Sequence, residues 1–243
     1  TRVIVPTMIS SHDEIENLVE ALEVRFLANR NNNLHFGLIP AFPDAGKEKL
    51  PEDDALVNYA QAKIEELNKK YKREKNDLFF LFHRPRYWNP NENVWMGYER
   101  KRGKLAELNA LLRGEGRDRF SCIVGDQSLF AHIKYVITLD ADTQLPLGAA
   151  WKLVGTMAHP LNHPWYDPKK KRVTKGYGIL QPRVAVSLPD ITSSLYTRMH
   201  GNEPGIDPYT RASSDVYQDL FSEGSFIGKG IYDLDVFKEV LDG

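Results

Sequence analysis

Two hydrophobic patterns alternate along the chain: short apolar runs and longer stretches with helical spacing. The short runs, which predict buried strands, lie at residues 3–5, 34–39, 78–82, 135–139 and 177–180. Between them, apolar residues recur every three or four positions and predict amphipathic helices. Strands alternating with helices favour an α/β fold with a mostly parallel sheet and helices on both faces.

Helix starts and buried faces are specific enough to name. Ser11 followed by Glu14 forms a capping box, Asp53 or Asp54 is suited to cap the second helix, and Lys104 opens the third. A fourth helix is predicted over residues 147–157. The predicted buried faces are Ile15, Leu18, Val19, Leu22 and Phe26, then Leu56, Val57, Ala60, Ile64, Leu67 and Tyr71, then Leu105, Leu108, Leu111 and Leu112.

Proline- and glycine-rich segments interrupt this alternation. Residues 84–103, rich in Pro, Asn, Trp and Arg, predict a loop, and residues 159–175 and 200–208 predict exposed insertions. The chain opens almost inside a strand and closes after a helical pattern, which suggests a piece of a longer protein.

Composition narrows the function classes. Apolar residues make up 42% and charged residues 27% of the 243, enough for an ordinary globular core. The formal net charge of -1 argues against nucleic acid as the main partner. Cys122 is the only cysteine, so an intrachain disulfide is excluded. No apolar run approaches the roughly 20 residues of a membrane span, and a soluble fragment is predicted.

The stretch YVITLDADTQLP at residues 135–146 ends an apolar run with two acids. Asp140 and Asp142 follow the predicted strand at its carboxyl end, where α/β proteins bind ligands. Carboxylates there can hold a hard divalent cation, and the cation can hold a diphosphate. The segment predicts a nucleotide-phosphate site; solvated acids in a turn, or caps of the next helix, are the ordinary alternative.

The same acids fit the Asp-x-Asp-x-Thr of haloacid-dehalogenase-type phosphatases. Asp140 would then be the nucleophile, Asp142 the acid/base and Mg²⁺ the charge clamp. That motif usually opens its domain, whereas three predicted strands precede it here. The paired acids expected further downstream are also not evident.

Three other segments carry groups suited to a phosphate or a sugar. The basic run in GYERKRGKLAELN (97–109) meets a helix N-terminus, which attracts phosphate, and Gly103 breaks the run where a backbone could approach a ligand. Gln181 and Arg183 flank Pro182 at a strand end, and FSEGSFIGKG (221–230) offers three glycines. A solvated basic face, a strand-end turn and a glycine-rich turn are the respective alternatives.

Together these segments resemble one family. The order of GYERKRGKLAELN, TLDADTQLP, GILQPRV and GIDPYTRASSDVYQDLFSEGSFIGKGIYDLDVF is similar to the glycosyltransferase part of cyclic β-1,2-glucan synthases, over essentially all 243 residues. Those are large bacterial membrane proteins that build a β-1,2-glucan from UDP-glucose and close it into a ring. The resemblance implies a single GT-A-like domain, an αβα sandwich truncated at its C-terminal end. The parent would lie in the inner membrane with this domain facing the cytoplasm.

The resemblance also implies roles for individual residues. Mg²⁺ or Mn²⁺ would be held by Asp142, with Asp140 on the metal, the ribose or the diphosphate. Residues implied to contact the donor UDP-glucose are Pro6, Thr7, Asp44, Lys104, Asn109, Asp140, Gln181 and Arg183. Gly224 and Ser225 would line the side of the glucan acceptor.

An α-linked donor and a β-linked product imply inversion by a single displacement, which needs one base. The family's catalytic aspartate is expected in a Ser-His-Asp stretch after the last matched element, and an Arg/Trp-rich motif later still; neither follows that element before Gly243, so the base is expected beyond it. Membrane contact would come through other parts of the parent. The resemblance therefore implies a fragment that binds donor and metal. A catalytically inactive sugar-nucleotide-binding module is a further reading.

Overall fold

The computed structural model describes residues 1–71, 77–182, 220, 226 and 228–241. The chain divides into two compact units, residues 1–180 with 228–243, and residues 181–227. The second unit is described only at residues 181, 182, 220 and 226. The strands and helices whose bounds the structure describes belong to the first unit.

The strands of this unit are β1 (Arg2–Met8), β2 (His35–Ala41), β3 (Phe79–His83), β4 (Tyr87–Asn89), β5 (Val94–Met96), β6 (Cys122–Val124), β7 (Tyr135–Thr138), β8 (Trp165–Asp167), β9 (Arg172–Lys175), β10 (Ile179–Leu180) and β11 (Gly230–Asp233). The helices are α1 (His12–Ala28), α2 (Asp53–Lys70), α3 (Arg100–Leu112), α4 (Ala149–Met157) and α5 (Leu234–Leu241). None of the helices in the described ranges is long and apolar enough to cross a membrane.

Seven strands form one sheet in the order β10-β11-β7-β1-β2-β3-β6. Strands β7, β1, β2 and β3 pair in parallel, while β11 and β6 run against their neighbours. The chain steps from β1 through α1 to β2 and through α2 to β3, and β7 then pairs with the other side of β1. Such a reversal of strand order opens a crevice at the carboxyl ends of the strands.

Each central strand sends alternate side chains into two separate cores. In β1, Val3 and Val5 pack with α1 and α2, while Ile4 packs on the other face with α3. In β3, Phe79 and Phe80 divide in the same way. Helices therefore cover both faces of a mostly parallel sheet, which confirms the predicted α/β fold and a GT-A-like sandwich.

Two of the predicted boundaries are wrong. Helix α3 begins at Arg100, four residues before Lys104, and residues 84–103 contain the antiparallel hairpin β4–β5. Asp53 does not cap α2: it is the first helical residue, and its carboxylate accepts from the Leu50 backbone N–H at 2.8 Å. Long-range contacts explain both differences: Arg84 binds Glu107 and the Tyr98 carbonyl at the start of α3, and Arg86 pairs with Asp53 at the start of α2.

The first predicted helix start is confirmed. The Ser11 hydroxyl accepts from the Glu14 backbone N–H, and all five predicted apolar residues of α1 are buried. The Glu14 carboxylate accepts from the backbone N–H and the hydroxyl of Ser10, each at 2.8 Å.

Residues 159–175, predicted as an exposed insertion, form a 3₁₀ turn (Pro160–Asn162) and the hairpin β8–β9, and Trp165 is 66% exposed. Residues 200–208 lie outside the described part of the chain.

Candidate functional site

A cavity of about 360 Å³ opens at the carboxyl ends of β1 and β2. Its position follows from the reversal of strand order beside β1, which leaves the strand ends uncovered. The size lies within the range of small-molecule sites. Its lining includes Pro6, Thr7, Asp44, Arg100, Lys101, Lys104 and Ala141.

Lys104 is the most buried cation of the cavity wall, with 5% of its surface exposed. Its ammonium donates to the Thr7 carbonyl at the end of β1. Burial, together with the charges of Arg84 and Arg100, lowers the pKa of Lys104 to about 8. The cavity thus contains a desolvated ammonium beside the carbonyl of a strand end.

The lowered pKa predicts a pH-dependent contribution to stability. The unfolded chain binds this proton up to the ordinary pKa of 10.5, whereas the folded protein releases it near pH 8, so stability rises with pH between these values. Relative to Lys104→Met, the free energy of unfolding of the wild type should rise by roughly 2 kcal/mol from about pH 7.5 to 9.5. Urea denaturation of both proteins measures the difference. A pH-independent difference would contradict the desolvated ammonium.

Asp140 lies between two lysines. The Lys101 ammonium donates to one carboxylate oxygen, and Lys229 Nζ lies 3.1 Å from the other. Burial by itself would raise the pKa of Asp140, but the two ammonium groups outweigh it and hold the pKa below its ordinary value. Asp140 is therefore an ionised carboxylate whose two immediate neighbours are cations.

The loop carrying Asp142 is held by its backbone. Arg25 of α1 donates to the carbonyl of Ala141 at 2.6 Å and to that of Thr143 at 2.9 and 3.0 Å. Asn29 donates to the carbonyl of Leu145 and accepts from the backbone N–H of Ala150. Asp142 itself is exposed, so its position is fixed from behind while its carboxylate faces solvent.

The start of α3 is set by a second buried arginine. Arg84, fully buried, pairs with Glu107 of α3 and donates to the Tyr98 carbonyl at 3.3 Å. A Cβ on Gly103 would lie 2.3 Å from that carbonyl oxygen, so only glycine fits there. The backbone approaching Gly103 is the chain's own, not a ligand as the sequence suggested. Glu99 and Arg100 have positive φ (52° and 43°), a strained conformation that places Arg100 at the cavity.

The third wall, the segment after β2, is held by Arg86. Its guanidinium donates to the Pro43 carbonyl at 2.6 Å and pairs with Asp53 at 2.5 Å, with both side chains almost fully buried. Asp44 follows Pro43 and pairs with Arg100 across the cavity at 3.2 Å. Three buried arginines thus position the three segments that frame the site.

No protein-family model matches this chain. It is 44% identical over 242 residues to the cyclic beta-(1,2)-glucan synthase NdvB of Rhizobium meliloti (strain 1021). The chain is homologous to a segment of a cyclic β-1,2-glucan synthase. The match spans 99% of this chain and 8% of that protein, and it confirms the resemblance seen in the sequence.

Four residues named from the resemblance line one cavity in this synthase-like segment: Pro6, Thr7, Asp44 and Lys104. Ala141, between the two acids, lines it as well, and Asp140 contacts the lining residue Lys101. The sequence pattern predicted these residues at strand ends and at the start of one helix. The parallel sheet then brings the strand ends together.

The resemblance also implied roles for Asn109 and for four residues of the second compact unit. Asn109 is buried and accepts from the hydroxyl of Tyr232 at 2.8 Å, outside the cavity lining. Gln181 belongs to the second compact unit. Arg183, Gly224 and Ser225 lie outside the described residues.

Sequence reasoning missed Arg25, Arg84, Arg86 and Lys229, because their partners are far away in the chain. Their neighbours in the sequence gave little indication of these contacts. Arg25 stands within the apolar face of a predicted helix, and Arg84 and Arg86 stand next to a proline.

A larger cavity, about 810 Å³, lies near the C-terminal end of α3. Its lining includes Arg113 and Arg117, but Arg113 pairs with Asp235 and donates to the Ile133 carbonyl, and Arg117 donates to the Phe120 carbonyl. Both guanidinium groups are therefore engaged by partners within the protein. The smaller cavity is therefore the better candidate, since it combines strand ends, strained backbone and a desolvated lysine.

Proposed function

We propose that this chain is the donor-binding part of an inverting glucosyltransferase that extends a β-1,2-glucan from UDP-glucose. The observation that carries the proposal is the cavity in which Pro6, Thr7, Asp44 and Lys104 meet beside the Asp140–Asp142 loop. Homology to a segment of a cyclic β-1,2-glucan synthase supports the same class of reaction.

Cleavage of the bond between glucose and UDP leaves a diphosphate with extra negative charge. Lys101 and Lys104 line the cavity, and Lys229 lies beside Asp140. Cations that already face the diphosphate when the bond breaks stabilise this charge without having to reorganise during the reaction. Thr7 and Asp44, on the opposite walls, would border the uridine.

The carboxylates at this site suit Mg²⁺ or Mn²⁺. Carboxylate oxygens are the ligands these hard cations prefer, and Asp142 presents an exposed one two residues from Asp140. Among the described residues no three His, Cys, Asp or Glu side chains group as a metal site. The diphosphate would have to supply further oxygens, as is usual for Mg²⁺ at nucleotide sites. When bound, the cation would neutralise part of the charge that develops on UDP.

Transfer also needs a carboxylate to take the proton of the acceptor hydroxyl. We assign that base, the membrane attachment and the route of the growing glucan to other parts of the longer protein. The segment is expected to bind donor and metal by itself, with glucose transfer requiring those parts.

Calorimetric titration of the chain with UDP-glucose, once with Mn²⁺ and once with EDTA, tests the proposal. Binding that needs the metal and competes with UDP is the expected result. GDP-mannose serves as the control for recognition of the uridine. A folded protein without affinity for UDP-glucose, or with affinity indifferent to EDTA, would overturn the assignment.

The two rival functions give different results in the same samples. A phosphatase would release phosphate from p-nitrophenyl phosphate, and Asp140→Asn would stop the release. An inactive binding module would hold a sugar without regard to metal. Neither rival predicts metal-dependent affinity for UDP.

A further inference from the structure

The carboxylate of Asp140 is engaged on both oxygens by lysines that are far apart in the chain. Lys101 stands in the first turn of α3, and Lys229 immediately precedes β11. Their ammonium groups neutralise one carboxylate with two positive charges, so the trio carries a net charge of about +1. A surplus cation at this point attracts an anion and repels a metal ion.

The backbone around Gly228 is shaped to admit Lys101. Gly228 has φ +81°, and a Cβ built on it would lie 2.8 Å from Lys101 Nζ and 2.9 Å from its Cε. Thr138, at the end of β7, donates its hydroxyl to the Gly228 carbonyl at 3.2 Å. The position of Lys101 against Asp140 thus depends on a glycine and on a hydrogen bond to the neighbouring strand.

We propose that Lys101 and Lys229 act as exchangeable counter-ions, an inference that rests on the proposed function. Without donor they hold Asp140; when a nucleoside diphosphate enters, they turn to its phosphate oxygens and release the carboxylate to the divalent cation. The two lysines thereby couple nucleotide binding to cation binding at the same site.

The coupling follows from charge. A divalent cation arriving alone must displace two ammonium groups from Asp140, each held by a charge-assisted hydrogen bond. A diphosphate provides the displaced ammonium groups with new acceptors of the same kind. Cation and nucleotide therefore bind more tightly together than either does alone, and the coupling is reciprocal.

Single variants Lys101→Met and Lys229→Met test the exchange, with affinity for Mn²⁺ alone and affinity for UDP in saturating Mn²⁺ as readouts. Loss of one ammonium should tighten Mn²⁺ binding and weaken UDP binding, each by about tenfold. Arg102→Met is the matched control: it removes one positive charge from the same turn, and Arg102 is 86% exposed and pairs with Glu99. It should change neither affinity by as much as threefold.

Gly228→Ala is an independent route, since its methyl group would push the tip of Lys101 away from Asp140 while keeping the lysine charge. It should tighten Mn²⁺ binding as Lys101→Met does. Thermal unfolding checks that each variant is folded. If one lysine variant fails to fold, the Mn²⁺ and UDP affinities of the other still test the exchange.

The opposite directions of the two effects separate this inference from the proposed function. A wild type that binds no UDP would defeat the proposed function and the exchange with it. If the wild type binds UDP, but the lysine variants weaken UDP without tightening Mn²⁺, the lysines are simple phosphate ligands and the exchange is overturned. Unchanged affinities in both variants overturn it as well.

Discussion

Asp142→Ala is expected to remove the metal-dependent part of UDP-glucose binding, an effect on the order of 100-fold or more. Changes in residues that only support a metal ligand typically cost about 10–100-fold in metal affinity, and loss of a ligand should cost at least as much. The exposed Asp142 carboxylate is the group that would hold the cation. Titration with UDP-glucose in Mn²⁺ measures the loss, and EDTA should have no further effect on the variant.

The variant should fold normally, because the loop is held by backbone groups. Arg25 binds the carbonyls of Ala141 and Thr143, which the substitution leaves in place. Asp118→Ala is the matched control, since it removes an acid that is 84% exposed from a 3₁₀ turn outside the cavity lining. Equal metal-dependent affinity in Asp142→Ala and in wild type would show that this carboxylate is not the ligand.

Asp53→Ala should lower the free energy of unfolding by about 3–5 kcal/mol, the usual cost of leaving one member of a buried ion pair unpaired. Asp53 is 6% and Arg86 2% exposed at the side chain, and their closest atoms are 2.5 Å apart. The substitution leaves the Arg86 guanidinium buried without a carboxylate partner, in contact with the carbonyls of Pro43 and Glu48 and the Phe42 ring. Urea denaturation monitored by circular dichroism gives the difference.

Asp54→Ala provides the comparison within the same turn of α2. Its carboxylate is 69% exposed and pairs with Lys49 at the surface, so its loss should cost no more than about 1 kcal/mol. In a double-mutant cycle, Asp53→Leu with Arg86→Met should cost less than the two single changes added together. Equal stability of Asp53→Ala and Asp54→Ala would mean that the buried pair does not hold the segment that carries Asp44.

Much of the fold was predictable because its signals are local. Short apolar runs predicted β1, β2, β3 and β7, and helical spacing predicted the buried face of α1, including Ile15 and Phe26. The hairpin β4–β5 was not predictable, since its short strands lack an apolar alternation. The start of α3 was missed because Glu99 and Arg100 enter the helix through a positive-φ backbone that no propensity favours.

The candidate site was predictable only in part. Strand ends such as Thr7 and the Asp140–Asp142 pair carried a sequence signal, because parallel strands gather their carboxyl ends at one edge. Asn109, expected beside the donor, instead binds Tyr232 in the core behind the site. The helical stripe that carries Lys104 to the cavity turns Asn109, five residues later, away from it.

Local sequence patterns were enough to predict the α/β class, the alternation of strands with helices and the chemistry available at the strand ends. It could do so because hydrophobic periodicity and residue type are properties of neighbouring positions. The three-dimensional arrangement was needed to find that Lys101 and Lys229 both contact Asp140, and that Arg25, Arg84 and Arg86 hold the walls of the cavity. Those contacts join residues far apart in the chain, and a charged side chain gives no local sign of the partner it will find once the sheet has formed.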